Sequence, residues 1–262
     1  MKIATWNINS VRLRTELLNL LNTEEEPDVV LLQETKTEDQ FFPVDEIKKI
    51  GYEYQVFTGE KSYNGVAILS KFPVEESFSL AIYNQDKRHI SAKINGVEIH
   101  NFYVPAGGDI PDIDSNPKFL HKLEYLKEIK SWFLKNRNKN DKILLAGDLN
   151  IAPFEHDVWS SKQLRNEVSH TDIEREILID VINSFDWCDV ARHFVDKKEK
   201  LYSWWSYRNR DWEKSNRGRR LDHIWVSKTL LNNCKSFRIL KNSRSWEKPS
   251  DHVPVILFVE IR

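Results

Sequence analysis

The chain has little of what staples or interrupts a fold. Cysteine occurs twice in 262 residues, at Cys188 and Cys234. Two isolated thiols make neither a disulfide framework nor a metal-spaced pair, which excludes a stapled secreted domain and a structural zinc site and fits a reducing cytoplasm. No apolar run nears the ~20 residues that cross a bilayer. The opening Met1-Lys2-Ile3-Ala4-Thr5-Trp6-Asn7 turns polar too soon for a signal peptide, so a soluble, cytoplasmic protein is expected. Linkers rich in Gly, Ser or Pro, low-complexity tracts and fixed-period repeats are all missing. One domain spanning 1–262 is therefore expected, long enough to bury a substantial core. An excess of one charge sign is missing too. The formal net charge of −1 excludes a surface that is basic throughout, so any nucleic-acid binding must rest on local charge.

One segment supplies that charge. From Ser203 to Arg220 the basic side chains Arg208, Arg210, Lys214, Arg217, Arg219 and Arg220 are set against only Asp211 and Glu213, with Trp204, Trp205, Tyr207 and Trp212 among them. Guanidiniums interleaved with aromatic faces suit a groove that holds a phosphate backbone and stacks a sugar or base. Trp204 and Trp205 read equally as stacking faces or as core residues; Trp225, inside an apolar run, reads as core.

Apolar runs ending in a polar residue recur along the chain. Lys2–Thr5 reads as a strand reaching Asn7, and Val29–Leu32 as a buried strand delivering Gln33 and Glu34. Between them, Ser10 is placed to cap a helix bearing Val11, Leu13, Leu17, Leu18, Leu20 and Leu21. Val66–Leu69 and Val97–Val104 read as hairpin strands of a more antiparallel region. Asn116 opens a long amphipathic helix to Phe133, with Pro117 in its first turn, and this helix feeds the buried strand Ile143–Ala146. Gly147-Asp148 ends that strand by a tight turn, and Asp148 and Asn150 then point the same way from its carboxyl end, where open α/β sheets place ligands. Thr171 and Glu174 have capping-box spacing for a helix to Ser184. Leu221–Val226, Phe237–Leu240 and Val253–Val259 complete the strands. Strands and helices without strict alternation predict an α/β sandwich, two mixed sheets packed together with helices outside.

Asn7, Glu34, Tyr103, Asp148 with Asn150, Asp222, and Asp251 with His252 share one description: a polar residue at the end of a buried strand. Each alone fits a satisfied buried polar group. As a set, carboxylates gathered at one sheet edge repel each other and lose solvation unless a cation or proton neutralises them. Glu34 with one or two aspartates makes the incomplete oxygen shell that magnesium prefers. His252, oriented by a carboxylate, suits a phosphoryl oxygen. With no serine–histidine motif and no reactive cysteine context, water is the expected nucleophile, and the chemistry is metal-assisted hydrolysis of a phosphate ester.

Trp6-Asn7-Ile8-Asn9, Leu32-Gln33-Glu34-Thr35-Lys36, Tyr103-Val104-Pro105, Gly147-Asp148-Leu149-Asn150, Asn216-Arg217-Gly218-Arg219-Arg220-Leu221-Asp222 and Ser250-Asp251-His252 resemble, from the first strand to the last, the motifs of a known family. It is the exonuclease III family of apurinic/apyrimidinic endonucleases, within the endonuclease/exonuclease/phosphatase superfamily. The resemblance implies a DNase I-like four-layer α/β sandwich and a Mg2+ ion replaceable by Mn2+. It implies a monomer without membrane contact that cleaves duplex DNA 5′ to abasic sites, with 3′-to-5′ exonuclease and 3′-end-trimming activity. By that resemblance Glu34 is a metal ligand, with Asn7 and Asp251 in or near its shell. Asp148 lies at the metal or aligns the attacking water, and Asn150 holds that water or a phosphate oxygen. His252, hydrogen-bonded to Asp222, stabilises charge on the phosphoryl group, assisted by Tyr103. Trp204 or Trp205 walls a pocket for an extruded abasic sugar, and Arg208 and Arg217 contact phosphates. Where relatives often carry Asn or Gln after Tyr-x-Pro, this chain has Ala106-Gly107-Gly108, leaving backbone amides for that contact. Two rival readings are another phosphodiesterase or phosphatase on the same fold and a non-catalytic descendant. The Gln33–Lys36 run and the Trp-rich basic loop argue against the first, and the full set of acids with His252 against the second.

Overall fold

The computed structural model describes residues 1–84 and 86–261. Its strands, in chain order, are β1 (Lys2–Asn7), β2 (Val29–Gln33), β3 (Tyr54–Glu60), β4 (Tyr63–Ser70), β5 (Glu76–Phe78), β6 (His89–Ile94), β7 (Val97–Tyr103), β8 (Ile143–Asp148), β9 (Cys188–Asp189), β10 (Asp222–Val226), β11 (Cys234–Ile239) and β12 (Val255–Val259). They form two six-stranded mixed sheets, ordered β11-β12-β1-β2-β4-β3 and β5-β6-β7-β8-β10-β9.

Side chains alternate across each strand, so each sheet has two apolar faces. Ile3, Val29, Leu31, Val66 and Ile68 of the first sheet meet Ile90, Ile99, Leu144, Ala146 and Ile224 of the second between the sheets. Ala4, Trp6, Val30 and Leu32 point outward against Leu17, Leu18 and Leu21 of helix α1 (Thr15–Glu25) and Ile47 of α2 (Val44–Ile50). On the far side, Phe102, Leu145 and Trp225 pack under Leu126, Ile129 and Phe133 of α3 (Pro117–Asn136) and Leu178 and Val181 of a further helix over Asp172–Ser184. The result is the expected four-layer sandwich. Each fully buried aliphatic side chain contributes roughly 1.5–3 kcal/mol. A one-residue slip would turn the whole set to the wrong face, so burial fixes register.

Register in turn aligns the polar strand ends. Tyr103 of β7 and Asp222 of β10 are both partners of Asp148, and in the other sheet Asn7 pairs with Gln33, the residue before Glu34. One row of each sheet therefore ends at the same rim.

Val66–Leu69 and Val97–Val104 fall in antiparallel hairpins as expected, β3–β4 in the first sheet and β6–β7 in the second, where β7 also runs parallel to β8. Other expectations change. Ser10 does not cap a helix. It sits at φ +85°, α1 begins at Thr15, and Leu13 is 77% exposed. The backbone N–H groups of Ile8, Ser10 and Val11 instead bond the carbonyls of Gln33, Glu34 and Thr35, carrying strand-like pairing past the end of β1. Gly147 does not make the turn after β8 but stays within the strand at φ +140°, where a Cβ would lie 1.9 Å from the Phe102 carbonyl oxygen of β7, so the close approach of the two strands requires glycine. The turn falls at Asn150, φ +54°.

Candidate active site

The rim where both sheets end opens into a cavity of about 980 Å³, walled by Glu34, Tyr103, Asn150, Trp204, Asp251 and His252, among others. Asn7, buried at the end of β1, donates its amide Nδ2 to Glu34 Oε1 and to Asp148 Oδ2, both at 2.9 Å. It thus joins the two sheets across the site. The amide oxygen faces the N–H of Asn9 at 3.2 Å. In this structure the donor side of the Asn7 amide meets the two carboxylates, and its oxygen, with one of its two acceptor directions taken by Asn9 N–H, remains a candidate for the shell of an ion.

Glu34 follows β2 at φ +51° and accepts from Tyr103 Oη at 2.7 Å, while Lys36 Nζ lies 2.7 Å from its other oxygen. Burial alone would raise its pKa, but the bonds from Asn7, Lys36 and Tyr103 and the Lys36 charge outweigh burial and hold it below the usual glutamate value. Burial beside Glu34 and Asp148 pushes the Tyr103 hydroxyl well above its usual pKa, so it stays a donor.

Asp148 Oδ1 accepts the backbone N–H of Asn150 at 3.0 Å, and its Oδ2 lies 3.3 Å from Asn150 Nδ2 and 3.6 Å from His252 Nε2. On its other ring nitrogen, His252 Nδ1 bonds Asp222 Oδ2 at 2.8 Å, and that oxygen also accepts from Ser203 Oγ at 2.6 Å. Burial raises the Asp148 pKa, opposed by His252 and reinforced by the neighbouring charges of Asp222 and Glu34. Burial disfavours the His252 cation, but Asp222 and Asp148 outweigh it and raise its pKa. A protonated imidazole thus lies between two aspartates, aimed at the cavity.

The donors fit a hard divalent cation. Asp148, Asp222 and His252 offer ligand atoms within 4.8 Å of one another, and Asp222 Oδ1 is buried with no hydrogen-bond partner among the described residues. Binding an ion between those three would displace the His252–Asp222 bond. Glu34 also faces the cavity, but its Oε1 accepts from Asn7 and Tyr103 and its Oε2 pairs with Lys36, so an ion bound there would take the place of the Lys36 ammonium beside Oε2. Asp251 does not touch Glu34. Its oxygens accept from Trp204 Nε1 at 3.0 Å and Asn9 Nδ2 at 3.4 Å, and Asn9 Oδ1 accepts from Lys36.

In the aromatic-basic segment, the two tryptophans part. Trp204 walls the cavity, while Trp205 is 1% exposed, packed with Tyr202 and Val253, its Nε1 donating to Asn216 Oδ1. This corrects Trp205 as a stacking face, because its ring has no open side. Arg208 and Arg217 line the cavity, Arg217 resting 4.8 Å over the Trp159 ring. Arg220 is fully buried between Asp157 and Asp189 and contributes no surface charge, whereas Arg219 lines the cavity beside Trp204. Trp225 is core, as expected. Sequence reasoning missed Lys36, Asn9 and Ser203 as site neighbours. Lys36 stood inside the quoted Gln33–Lys36 motif, which was the available signal.

The sequence profile of the Endonuclease/Exonuclease/phosphatase family matches residues 4–252. The chain is 29% identical over 267 residues to the exodeoxyribonuclease III of Haemophilus influenzae, covering 97% of this chain and 98% of that protein. It is 31% identical over 275 residues to a DNA-(apurinic or apyrimidinic site) endonuclease of Dictyostelium discoideum, covering 100% of this chain and 71% of that one. The structure of an AP endonuclease from Archaeoglobus fulgidus superposes on it with a TM-score of 0.93 at 33% identity, covering 100% of both chains. A profile matched from the first strand almost to the last, on a fold that brings the matched motifs to one rim, places the chain in the endonuclease/exonuclease/phosphatase family.

Proposed function

We propose that this chain is a Mg2+- or Mn2+-dependent DNA repair nuclease. It hydrolyses the phosphodiester 5′ to abasic sites in duplex DNA and also removes nucleotides or blocking groups from 3′ ends, acting as a cytoplasmic, monomeric, single-domain enzyme. The observation that carries the reading is Asp148, a buried carboxylate of raised basicity held by Asn7 and Asn150 and facing His252 across 3.6 Å.

In this reading Asp148 aligns the attacking water and takes its proton, the higher pKa making it a stronger base than an exposed aspartate. Asn150 holds the water or a non-bridging oxygen. Water oxygen bonds to phosphorus as the bond to the 3′ oxygen breaks, leaving a 3′ hydroxyl and a 5′ phosphate on the abasic side. His252, kept protonated and oriented by Asp222, faces the negative charge that develops on the phosphoryl group. Tyr103 keeps Glu34 in place with its single O–H, and the leaving 3′ oxygen takes its proton from solvent at the open cavity. Glu34 and Asp251 hold the divalent ion, which when bound supplies charge neutralisation. Trp204 walls the pocket for the extruded sugar, with Arg208 and Arg217 on flanking phosphates.

The test is cleavage of an abasic duplex in Mg2+, with and without chelator, beside an inositol polyphosphate. The expected result is chelator-sensitive nicking 5′ to the lesion and no release of inorganic phosphate from the inositol compound; the reverse pattern refutes the reading.

A further inference from the structure

Beneath the cavity floor lies an ion pair that the reaction scheme leaves without a role. Lys122 of α3 and Glu174 in the helix over Asp172–Ser184 are both fully buried and paired. Lys122 Nζ spends its remaining two N–H groups on main-chain carbonyls, Asn150 at 2.8 Å and Ala106 at 3.1 Å. Those carbonyls belong to the two loops that leave β8 and β7 at the site. Gly107, φ +91°, lies directly over the lysine stem: a Cβ there would approach Lys122 Cδ at 3.0 Å.

Glu174 continues the tie. Its carboxylate accepts from the N–H of Ser169 at 2.9 Å and of Thr171 at 3.1 Å. Ser169 Oγ accepts from Arg219 Nη1 at 2.6 Å, and the Arg219 guanidinium lies 5.5 Å over Trp204. Asn150 needs such support because its backbone sits in the left-handed region while its side chain spans Val104 O and Asp148 Oδ2.

We propose that Lys122 is a positioning residue for the nuclease reaction: through the Asn150 and Ala106 carbonyls it sets the Asn150 amide against Asp148, and so governs turnover rather than DNA affinity. The inference rests on the nuclease reading above. A purely structural role for the ion pair predicts that breaking it from either side has the same effect. A positioning role predicts a split, because Glu174→Gln leaves both carbonyl bonds in place and Lys122→Met removes them.

The experiment compares both variants with wild type on an abasic duplex, measuring kcat, KM and Tm. Lys122→Met should lower kcat roughly 10- to 100-fold, as about 1 Å of misplacement does, with KM within about threefold. Glu174→Gln should lose Tm comparably yet keep kcat within about threefold. If the methionine variant does not fold, Lys122→Arg, which keeps a cation beside Glu174 but cannot match all three bonds, decides by the same kcat criterion. Wild-type kcat in a folded Lys122 variant, or equal kcat losses from the two sides of the pair, overturns the proposal. A wild-type protein without metal-dependent cleavage of abasic DNA overturns both the nuclease reading and this one.

Discussion

Burial decides which of two adjacent tryptophans can touch a ligand. Trp205→Ala empties a site that is 1% exposed and should cost about 3–5 kcal/mol in a urea melt. Trp204→Ala removes a cavity wall and the donor to Asp251, so its effect should appear chiefly as weaker binding of an abasic duplex, by about 1–3 kcal/mol in titration. Asp148→Asn and His252→Asn should each lower kcat by roughly 10²- to 10⁴-fold with duplex affinity kept, as expected for a lost proton acceptor and a lost charge. Wild-type rates in either variant would contradict the roles assigned. The identity of these groups was readable from polar residues at strand ends. The donor direction of the Asn7 amide was not, since only the positions of Glu34 and Asp148 determine it.

Strands and helices were legible where their signals are local. Asn116 caps α3 with Pro117 at its first position, and Thr171 and Glu174 form the capping box that opens the helix to Ser184. The segment after β1 was not legible, because its backbone partners lie after β2, and a cap signal at Ser10 loses to those bonds. Gly147 tests the coupling of β7 and β8. Gly147→Ala sets a methyl against the Phe102 carbonyl, and relief requires parting the strands whose register places Tyr103 opposite Asp148. The expected result is a loss of more than about 3 kcal/mol in stability, measured by thermal or urea unfolding. Unchanged stability would mean that the strands do not approach so closely.

Across the whole molecule, charge acts locally. Net charge is close to zero, so salt dependence of DNA binding should track individual cations. Arg208→Ala and Arg217→Ala should each reduce the slope of log Kd against log salt by about one. Arg220→Ala should instead destabilise, by at most about 3–5 kcal/mol, because half-buried Asp189 loses its guanidinium partner and buried Asp157 keeps only Arg192. Acid should act through buried histidines. Burial, and then Arg220, lower His223 from 6.5 to about 4, and burial lowers His89 and His100 as well. In the unfolded chain they take up protons that the folded chain refuses. The contribution of these histidines is therefore full above pH ~6.5 and falls as pH drops toward ~4, by about 3 kcal/mol for His223 alone, while Asp148, its pKa raised to about 7, acts in the opposite sense over the same window. Urea midpoints of wild type and His223→Gln across that range isolate the effect: the variant should lose less stability than wild type on acidification, and parallel profiles would contradict it. No helix among the described residues is long and apolar enough to cross a membrane.

By itself the sequence determined the layers, the capped helices and the polar residues that end the buried strands, because periodicity, caps and composition act over a few neighbouring residues. It also marked the chemistry, since carboxylates, an amide and one histidine at strand ends are costly unless used. Tertiary structure decided which of those groups meet. Parallel and antiparallel pairing brings Tyr103 and Asp222 to Asp148 from distant parts of the chain, packing of the sheets sets Asn7 between Glu34 and Asp148, and core packing hides Trp205 and Arg220 while leaving Trp204 and Arg219 at the cavity. These are non-local contacts, fixed by the burial of apolar faces that no short stretch of sequence contains.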